Sequence, residues 1–301
     1  MDELEQITSK ELESFPSLSQ YKSDLSKLGK LDLSQLNVEQ RLDKIYDLAR
    51  TIPGSIGWMK PEQFNYHSFY RVRKNIDKSV EDITLVQTYS YPPPKACFEN
   101  GRANLKGKSV FYCSNEADAA IRETKPEKDD EIYLSVWKGI AKNSIKIGNL
   151  LPPNLNRQNI WSHMAKEVFE QTINSLPSKV GDRSNHILTL YRFFAEKFRS
   201  EQKPYYLTSI ISWEYLYGQM WRDFIVYPSY LSNERFCNMA FHPNSVNQNL
   251  KFDKLIKLKV MGHNSDGPIF KIGSKVGYIE NTKMLWREKT GQEINLFKKI
   301  K

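Results

Sequence analysis

The sequence predicts a mixed α+β domain of strands and helices, preceded by an N-terminal helical extension. Short β-branched and aromatic runs of strand length, such as Ser109–Cys113 and Phe224–Tyr227, are spread along the chain. Apolar faces at helical spacing lie between them. The two kinds of element do not alternate in the regular rhythm of a doubly wound sheet, which favours an α+β arrangement. There is no internal repeat, no G-x-G-x-x-G and no Walker loop, so the usual dinucleotide and triphosphate signatures are missing.

Residues 1–35 are polar, rich in Ser, Leu and Lys, and only weakly periodic; they are expected to form a loosely packed arm. Asn37 followed by Gln40 has the form of a capping box, and Leu42, Ile45, Tyr46 and Ala49 supply the helical face after it, ending before Pro53. Gly54–Pro61 carries two glycines and reads as a linker or loop. A boundary near residue 62 therefore divides the extension, residues 1–61, from a main domain over residues 62–265. Residues 266–301 are expected to add a C-terminal hairpin and tail packed on that domain.

Phe69–Val72 reads as the first strand of the main domain. The stretch after it includes Pro92-Pro93-Pro94, which cannot pair in a central strand, and is expected to be a long loop placed to cover a cleft. After the Ser109–Cys113 strand, Ser114 or Asn115 is placed to cap a helix. Glu116 and Asp118 fall in its first turn, at the positive end of the dipole. Ala117, Ala120 and Ile121 are spaced as its buried face, and Pro126 lies beyond its end. Glu131–Lys138 sets Ile132, Leu134 and Val136 against Tyr133, Ser135 and Trp137, a period-two strand apolar on both faces. Trp161, Met164, Ala165, Val168, Phe169, Thr172 and Leu176 share one helical face; Ile187, Leu188, Tyr191, Phe194, Ala195 and Phe198 share another. A third helix is expected over Tyr206–Tyr217. Phe224–Tyr227 is a short strand with Ser229 just past Pro228, and Leu255–Met261 is another. Ile269–Ile272 and Val276–Ile279 flank Gly273-Ser274 as a hairpin.

Hydrophobic residues make up 40% and charged residues 26% of the 301, which suits a globular chain with a sizeable core. The net charge of +9 is compatible with nucleic acid or with an anionic small molecule. The basic residues are scattered, which favours a solvated surface and leaves a nucleic-acid-binding or non-catalytic interaction protein as the alternative class. Cys97, Cys113 and Cys237 form no C-x-x-C pair and no zinc spacing, which argues for a reducing compartment. The acidic start M-D-E-L-E-Q lacks the apolar core of a signal peptide, and no apolar run is long enough to span a membrane. A cytoplasmic protein without membrane contact is expected. His163 and Glu167 stand four apart on a helix, a spacing that suits an ion pair as well as a ligand pair. With no third ligand near them, no metal is expected.

Five short motifs follow one another in order: Phe69-Tyr70-Arg71-Val72, Gly101-Arg102, Phe111-Tyr112, Arg122-Glu123 and Tyr227-Pro228-Ser229. The series resembles the RES domain family, named for an arginine, a glutamate and a serine. The resemblance runs from about Phe69 to Met261 and leaves both ends uncovered. It implies a fold similar to that of mono-ADP-ribosyltransferases and an enzyme that consumes NAD+ by cleaving its nicotinamide–ribose bond. That enzyme is an NAD+ phosphorylase or glycohydrolase, with a protein ADP-ribosyltransferase as the alternative. It also implies a toxin of a toxin–antitoxin or defence system, silenced by a small antitoxin protein. This chain looks longer than compact members of the family, at both ends and over residues 155–204, so an appended element can take the antitoxin's place.

The chemistry explains why such residues are needed. Nicotinamide is already cationic on its ribose and leaves neutral, so no acid need protonate it; a glycosidase needs two carboxylates because its leaving group is poor. One carboxylate can suffice here, and Glu123 is the candidate. It also sits at the end of a helix, where the dipole disfavours a carboxylate by roughly 0.3–1 kcal/mol. Arg71 and Arg102 are candidates for the pyrophosphate and nearby ribose, because the guanidinium fork matches phosphate oxygens. Arg73 shares the strand face of Arg71 and is a spare candidate. Tyr112 is placed to stack on nicotinamide and to bind a ribose hydroxyl. Ser229 is placed to hold Glu123 or the nicotinamide amide, and Asn238 to brace the site. Tyr70 faces away from Arg71 and is assigned to the core.

Overall fold

The structure is a computed structural model that describes residues 15–52, 56–174, 183–265, 267–291 and 293. Its ten strands are β1 (Ile56–Met59), β2 (Ser68–Lys74), β3 (Phe111–Ser114), β4 (Glu131–Gly139), β5 (Ile145–Asn149), β6 (Phe224–Pro228), β7 (Cys237–Phe241), β8 (Leu250–Asn264), β9 (Gly267–Glu280) and β10 (Lys283–Glu288). They form one sheet in the order β1-β5-β6-β7-β3-β2-β4-β8-β9-β10. Only β5 and β6 run parallel; the other neighbours are antiparallel. Eight α-helices are seen among the described residues: α1 (Leu18–Leu28), α2 (Val38–Ala49), α3 (Pro61–Phe64), α4 (Ala117–Glu123), α5 (Ser162–Asn174), α6 (Ser184–Ser200), α7 (Tyr206–Leu216) and α8 (Pro243–Asn249). The chain is a mixed α+β protein.

The middle of the sheet positions the site. β2 pairs with β4 along its whole length, from Ser68↔Lys138 to Lys74↔Ile132. It pairs with β3 only at Tyr70↔Ser114. The sheet is therefore two five-stranded halves joined at one residue pair. In the first half, alternation along β6 sends Ile225 and Tyr227 to a core shared with α1, α2, α6 and α7, and Phe224 and Val226 to an aromatic core with Phe64, Phe69, Phe111 and Trp161. In the second half, α4 covers Ile132, Leu134 and Val136 with Ala117 and Ile121.

Several expectations are corrected by the packing. From Phe15 onward the arm is not loose. Ser17 caps α1, whose Tyr21, Leu25 and Leu28 are buried, and the Tyr21 hydroxyl donates to the Ala49 carbonyl at 2.7 Å. The weakly periodic leucines are enough because α6 supplies the other wall. The Asn37–Gln40 capping box is present, with Asn37 Oδ1 accepting from Gln40 N at 2.9 Å and Gln40 Oε1 accepting from Asn37 N at 3.0 Å. Within the stretch read as a linker, Ile56–Met59 is an edge strand paired to β5, and Gly57 packs its backbone against Ile147. The proline-rich stretch contributes no residue to the cavity at the split of the sheet. Its Tyr89 is fully buried with Tyr133 and Met284 on the second half of the sheet. Gly273-Ser274 is not a turn. It lies inside β9 as a bulge opposite Lys257, between the pairs Ile256↔Val276 and Leu258↔Ile272. The hairpin turn comes at Asn281-Thr282, whose φ values of 48° and 71° suit a two-residue turn. Leu176 lies outside the described residues.

Asp130 ties the start of β4 to the end of β2. Its carboxylate accepts from Glu127 N (2.8 Å), Asn75 Nδ2 (2.6 Å) and Lys74 Nζ (3.0 Å). The Glu127 and Asn75 bonds, with Lys74 beside them, hold its pKa down to about 2. A carboxylate with a lowered folded-state pKa stabilises the fold above the ordinary value of 3.8, and that stability is lost as pH falls toward about 2. Asp130→Asn is therefore expected to cost about 1–2 kcal/mol at pH 7. The difference from wild type should shrink to nothing in melts at about pH 2.

Candidate functional site

Where β2 and β3 part, a cavity of about 460 Å³ opens between the halves of the sheet. Arg71 lies on β2 at the split. Its Nη1 donates across the gap to the Tyr112 carbonyl at 3.0 Å, and its guanidinium lies 5.3 Å from the Phe111 ring centroid. The side chain is buried, and its Nε has no hydrogen-bond partner. No carboxylate pairs with it among the described residues. Burial, with Arg73 adding to it, lowers the Arg71 pKa to about 10. A buried cation that keeps an unused donor costs free energy until an anion meets it.

Glu123 is the last residue of α4 and lines the same cavity. Its Oε1 accepts from Ser229 Oγ at 2.8 Å and from Asn238 Nδ2 at 2.7 Å. Ser229 is fully buried just past β6, and Asn238 is buried on β7. The two donors settle the orientation of the carboxylate and leave Oε2 without a partner among the described residues. Ser229 is itself held: its N–H donates to the Phe236 carbonyl, and its carbonyl accepts from Ser232 Oγ at 2.7 Å. Ser114 and Asn115 were expected to cap α4 and do not. Ser114 Oγ donates to the Cys237 carbonyl (2.7 Å) and Asn115 Oδ1 accepts from Cys237 N (2.8 Å), so both fasten the start of α4 to β7. The cap position falls to Glu116, which makes no side-chain cap bond.

Tyr112 lines the cavity with its ring, but its hydroxyl is not free for a ligand. It donates to Asn104 Oδ1 at 2.8 Å and accepts from Ala103 N at 2.7 Å, clasping the Gly101–Asn104 loop. Burial raises its pKa well above the usual phenol value, so it stays a donor. Gly101 makes this clasp possible, because a Cβ there would come within 2.3 Å of Asn104 Oδ1 and 2.6 Å of the Tyr112 hydroxyl. Gly101→Ala is expected to open the clasp. It should lower the melting temperature by several degrees, read by thermal melts.

Arg102 also lines the cavity. Its Nη1 makes a short bond to the Phe198 carbonyl at the end of α6, and its guanidinium sits 4.9 Å from the Tyr205 ring centroid. Arg73 is not a site residue. It forks onto Glu81 at 3.0 and 2.7 Å and donates to the Thr88 carbonyl at 2.8 Å, pinning the proline-rich stretch. Tyr70 packs on the core beside α4, as expected, but also reaches the cavity.

The structure thus gathers Arg71, Arg102, Tyr112, Glu123 and Asn238 around one cavity, with Ser229 bonded to Glu123 behind it. It adds Arg199, Gln202, Tyr205, Tyr227 and Tyr230, which sequence reasoning missed. Most of these come from the end of α6 and the turn after it. The apolar spacing of α6 marked its buried face but not which polar residues its last turn would aim at the split. His163 Nδ1 and Glu167 Oε2 are 3.4 Å apart on the exposed side of α5. Among the described residues no group of three His, Cys, Asp or Glu side chains is gathered to hold a metal, and no helix is long and apolar enough to cross a membrane. No protein-family model matches the chain, and no curated protein matches its sequence.

Proposed function

We propose that the chain is an NAD+-consuming enzyme that breaks the nicotinamide–ribose bond in the cavity between β2 and β3. The observation that carries this is a pairing across one cavity. A carboxylate is oriented by two donors on one oxygen, and a buried guanidinium has a donor to spare. Arg71 is suited to the pyrophosphate, with Arg102 at the rim. Glu123 Oε2 is suited to the positive charge that grows on the ribose. As the C–N bond breaks, its electron pair goes to the nicotinamide nitrogen and nicotinamide leaves neutral. An acceptor oxygen then bonds to the ribose carbon; where the acceptor is water, its proton passes to solvent, and a phosphate oxyanion needs no proton transfer. The split sheet with a cleft at the split agrees with an ADP-ribosyltransferase-like fold, and the order of the motifs agrees with the RES family. A cytoplasmic toxin follows from the same resemblance. Helix α1 packs on α6, whose end forms a cavity wall, and α2 packs on α1 and α7, so these helices are suited to the regulating role that an antitoxin would otherwise have.

Incubation of purified protein with NAD+ tests the reading. Free nicotinamide is expected. Phosphate-dependent turnover yielding ADP-ribose 1″-phosphate marks a phosphorylase, ADP-ribose with or without phosphate marks a glycohydrolase, and added mass on a protein marks a transferase. Absence of nicotinamide under all these conditions overturns the proposal. Tight duplex DNA binding that weakens steeply with salt would favour the nucleic-acid alternative.

A further inference from the structure

Tyr227 stands beside Ser229 and Asn238, the two side chains that hold Glu123, and lines the same cavity. In the β6–β7 ladder Tyr227 sits directly opposite Asn238, so their side chains share a face, and Ser229 lies two residues on, just past the strand end. Ser229 and Asn238 both donate to Glu123 Oε1. The Tyr227 ring is 5% exposed, lines the cavity, and is pinned by Phe198 with ring centroids 4.9 Å apart. Its hydroxyl has no hydrogen-bond partner among the described residues, whereas those of Tyr21, Tyr89 and Tyr112 each have one. That hydroxyl is not among the buried unpartnered polar atoms, so it is open to the cavity, where a ligand group can replace water on it. Both Glu123 and Arg102 are close enough for their charges to act on it. Burial first, then Tyr112 and Glu123, push its pKa far above the usual value, so it is a neutral donor over the whole physiological range.

We infer that Tyr227 is a further ligand-contacting residue, whose hydroxyl holds one hydroxyl of a ribose vicinal diol while Glu123 holds the other. The inference rests on the dinucleotide reading of the cavity and names the part of the ligand recognised beside the carboxylate. A donor phenol next to an acceptor carboxylate matches adjacent hydroxyls, each of which can both donate and accept. The phenol also disfavours ligands that lack the diol, because such a ligand would cover the hydroxyl and leave it unpaired.

Tyr227→Phe removes only the hydroxyl and keeps the ring on Phe198. Three readouts test the inference. Without ligand, the melting temperature should be unchanged or slightly higher, because no protein bond is lost; a fall of several degrees would show a structural bond and overturn it. With ADP-ribose as probe, the ligand-induced rise in melting temperature should be large in wild type and clearly smaller in the variant. With NAD+, kcat/KM should fall about tenfold, carried by KM. That loss should vanish for the analogue lacking one of the two hydroxyls on the nicotinamide ribose, since wild type has nothing left to hold there. Equal ADP-ribose binding by variant and wild type overturns the role of Tyr227 and leaves the dinucleotide reading standing. Failure of wild type to bind ADP-ribose or release nicotinamide overturns both.

Discussion

Glu123→Gln is expected to abolish nicotinamide release while leaving the protein folded. Glutamine can keep both bonds to Glu123 Oε1, because its carbonyl oxygen still accepts from Ser229 Oγ and Asn238 Nδ2. The amide nitrogen then replaces Oε2, and the charge that faces the ribose is gone. A lost transition-state charge contact of this kind lowers kcat by about 10²–10³. Ground-state affinity should change little, because the amide nitrogen in place of Oε2 can still bond a ribose hydroxyl, as donor instead of acceptor, and only the charge proposed to counter the breaking bond is lost. The measurement is single-turnover nicotinamide release beside ADP-ribose binding and a thermal melt. Wild-type turnover in Glu123→Gln would remove the carboxylate from the mechanism. Collapse of the melting temperature would assign it to structure instead.

Arg71→Met is expected to do the opposite: lose binding and keep stability. The wild-type guanidinium is buried with one bond to the Tyr112 carbonyl and an unused Nε. Its pKa falls to about 10 on burial, below the ordinary 12.5, so at any pH below about 10 the ligand-free fold carries part of the cost of a buried charge. That cost is relieved as pH rises through 10 toward 12.5, so the contribution of this group to stability increases with pH in that window. Replacing it with a methionine of similar reach removes the cost along with one hydrogen bond. The melting temperature at pH 7 should therefore hold or rise. Bonds from a charged donor to phosphate contribute about 1.5–3 kcal/mol each, so affinity for NAD+ or ADP-ribose should fall at least tenfold to a hundredfold. Isothermal titration and ligand-dependent melts measure both halves. An unchanged affinity would place the anion elsewhere, and a large loss of stability would show that Arg71 is a structural tie across the split.

The two variants are separable because the residues come from different parts of the fold. Arg71 stands where β2 leaves β3, and its charge is unmatched because the ladder ends there. Glu123 stands at the end of a seven-residue helix and is matched by donors from β7 and the segment past β6. A ligand bridging them would close the gap between the halves of the sheet.

Local order along the chain was legible in the sequence wherever a pattern is satisfied by near neighbours. The Asn37–Gln40 capping box, the buried face of α4 and the two-faced apolar run of β4 depend on spacing alone, and each is where it was expected. So do the order of the motifs and the position of Glu123 at a helix end. What spacing does not carry is which partner a side chain finds across the fold. Tyr112 looked free for a ligand, yet its hydroxyl is taken by Asn104 and Ala103 in a loop that only Gly101 lets approach so closely. Arg73 looked equivalent to Arg71 by strand parity; Glu81 claims one, and nothing claims the Nε of the other. Ser114 and Asn115 had the chemistry of caps, but bonds to Cys237 prevailed. Spacing along the chain marked the central strands and helices and the residue types near the split, but not the edge strand Ile56–Met59 or the bulge at Gly273-Ser274. Only the tertiary structure decided which donors and charges were left unpaired there, because pairing is settled by long-range contacts between strands far apart in the chain.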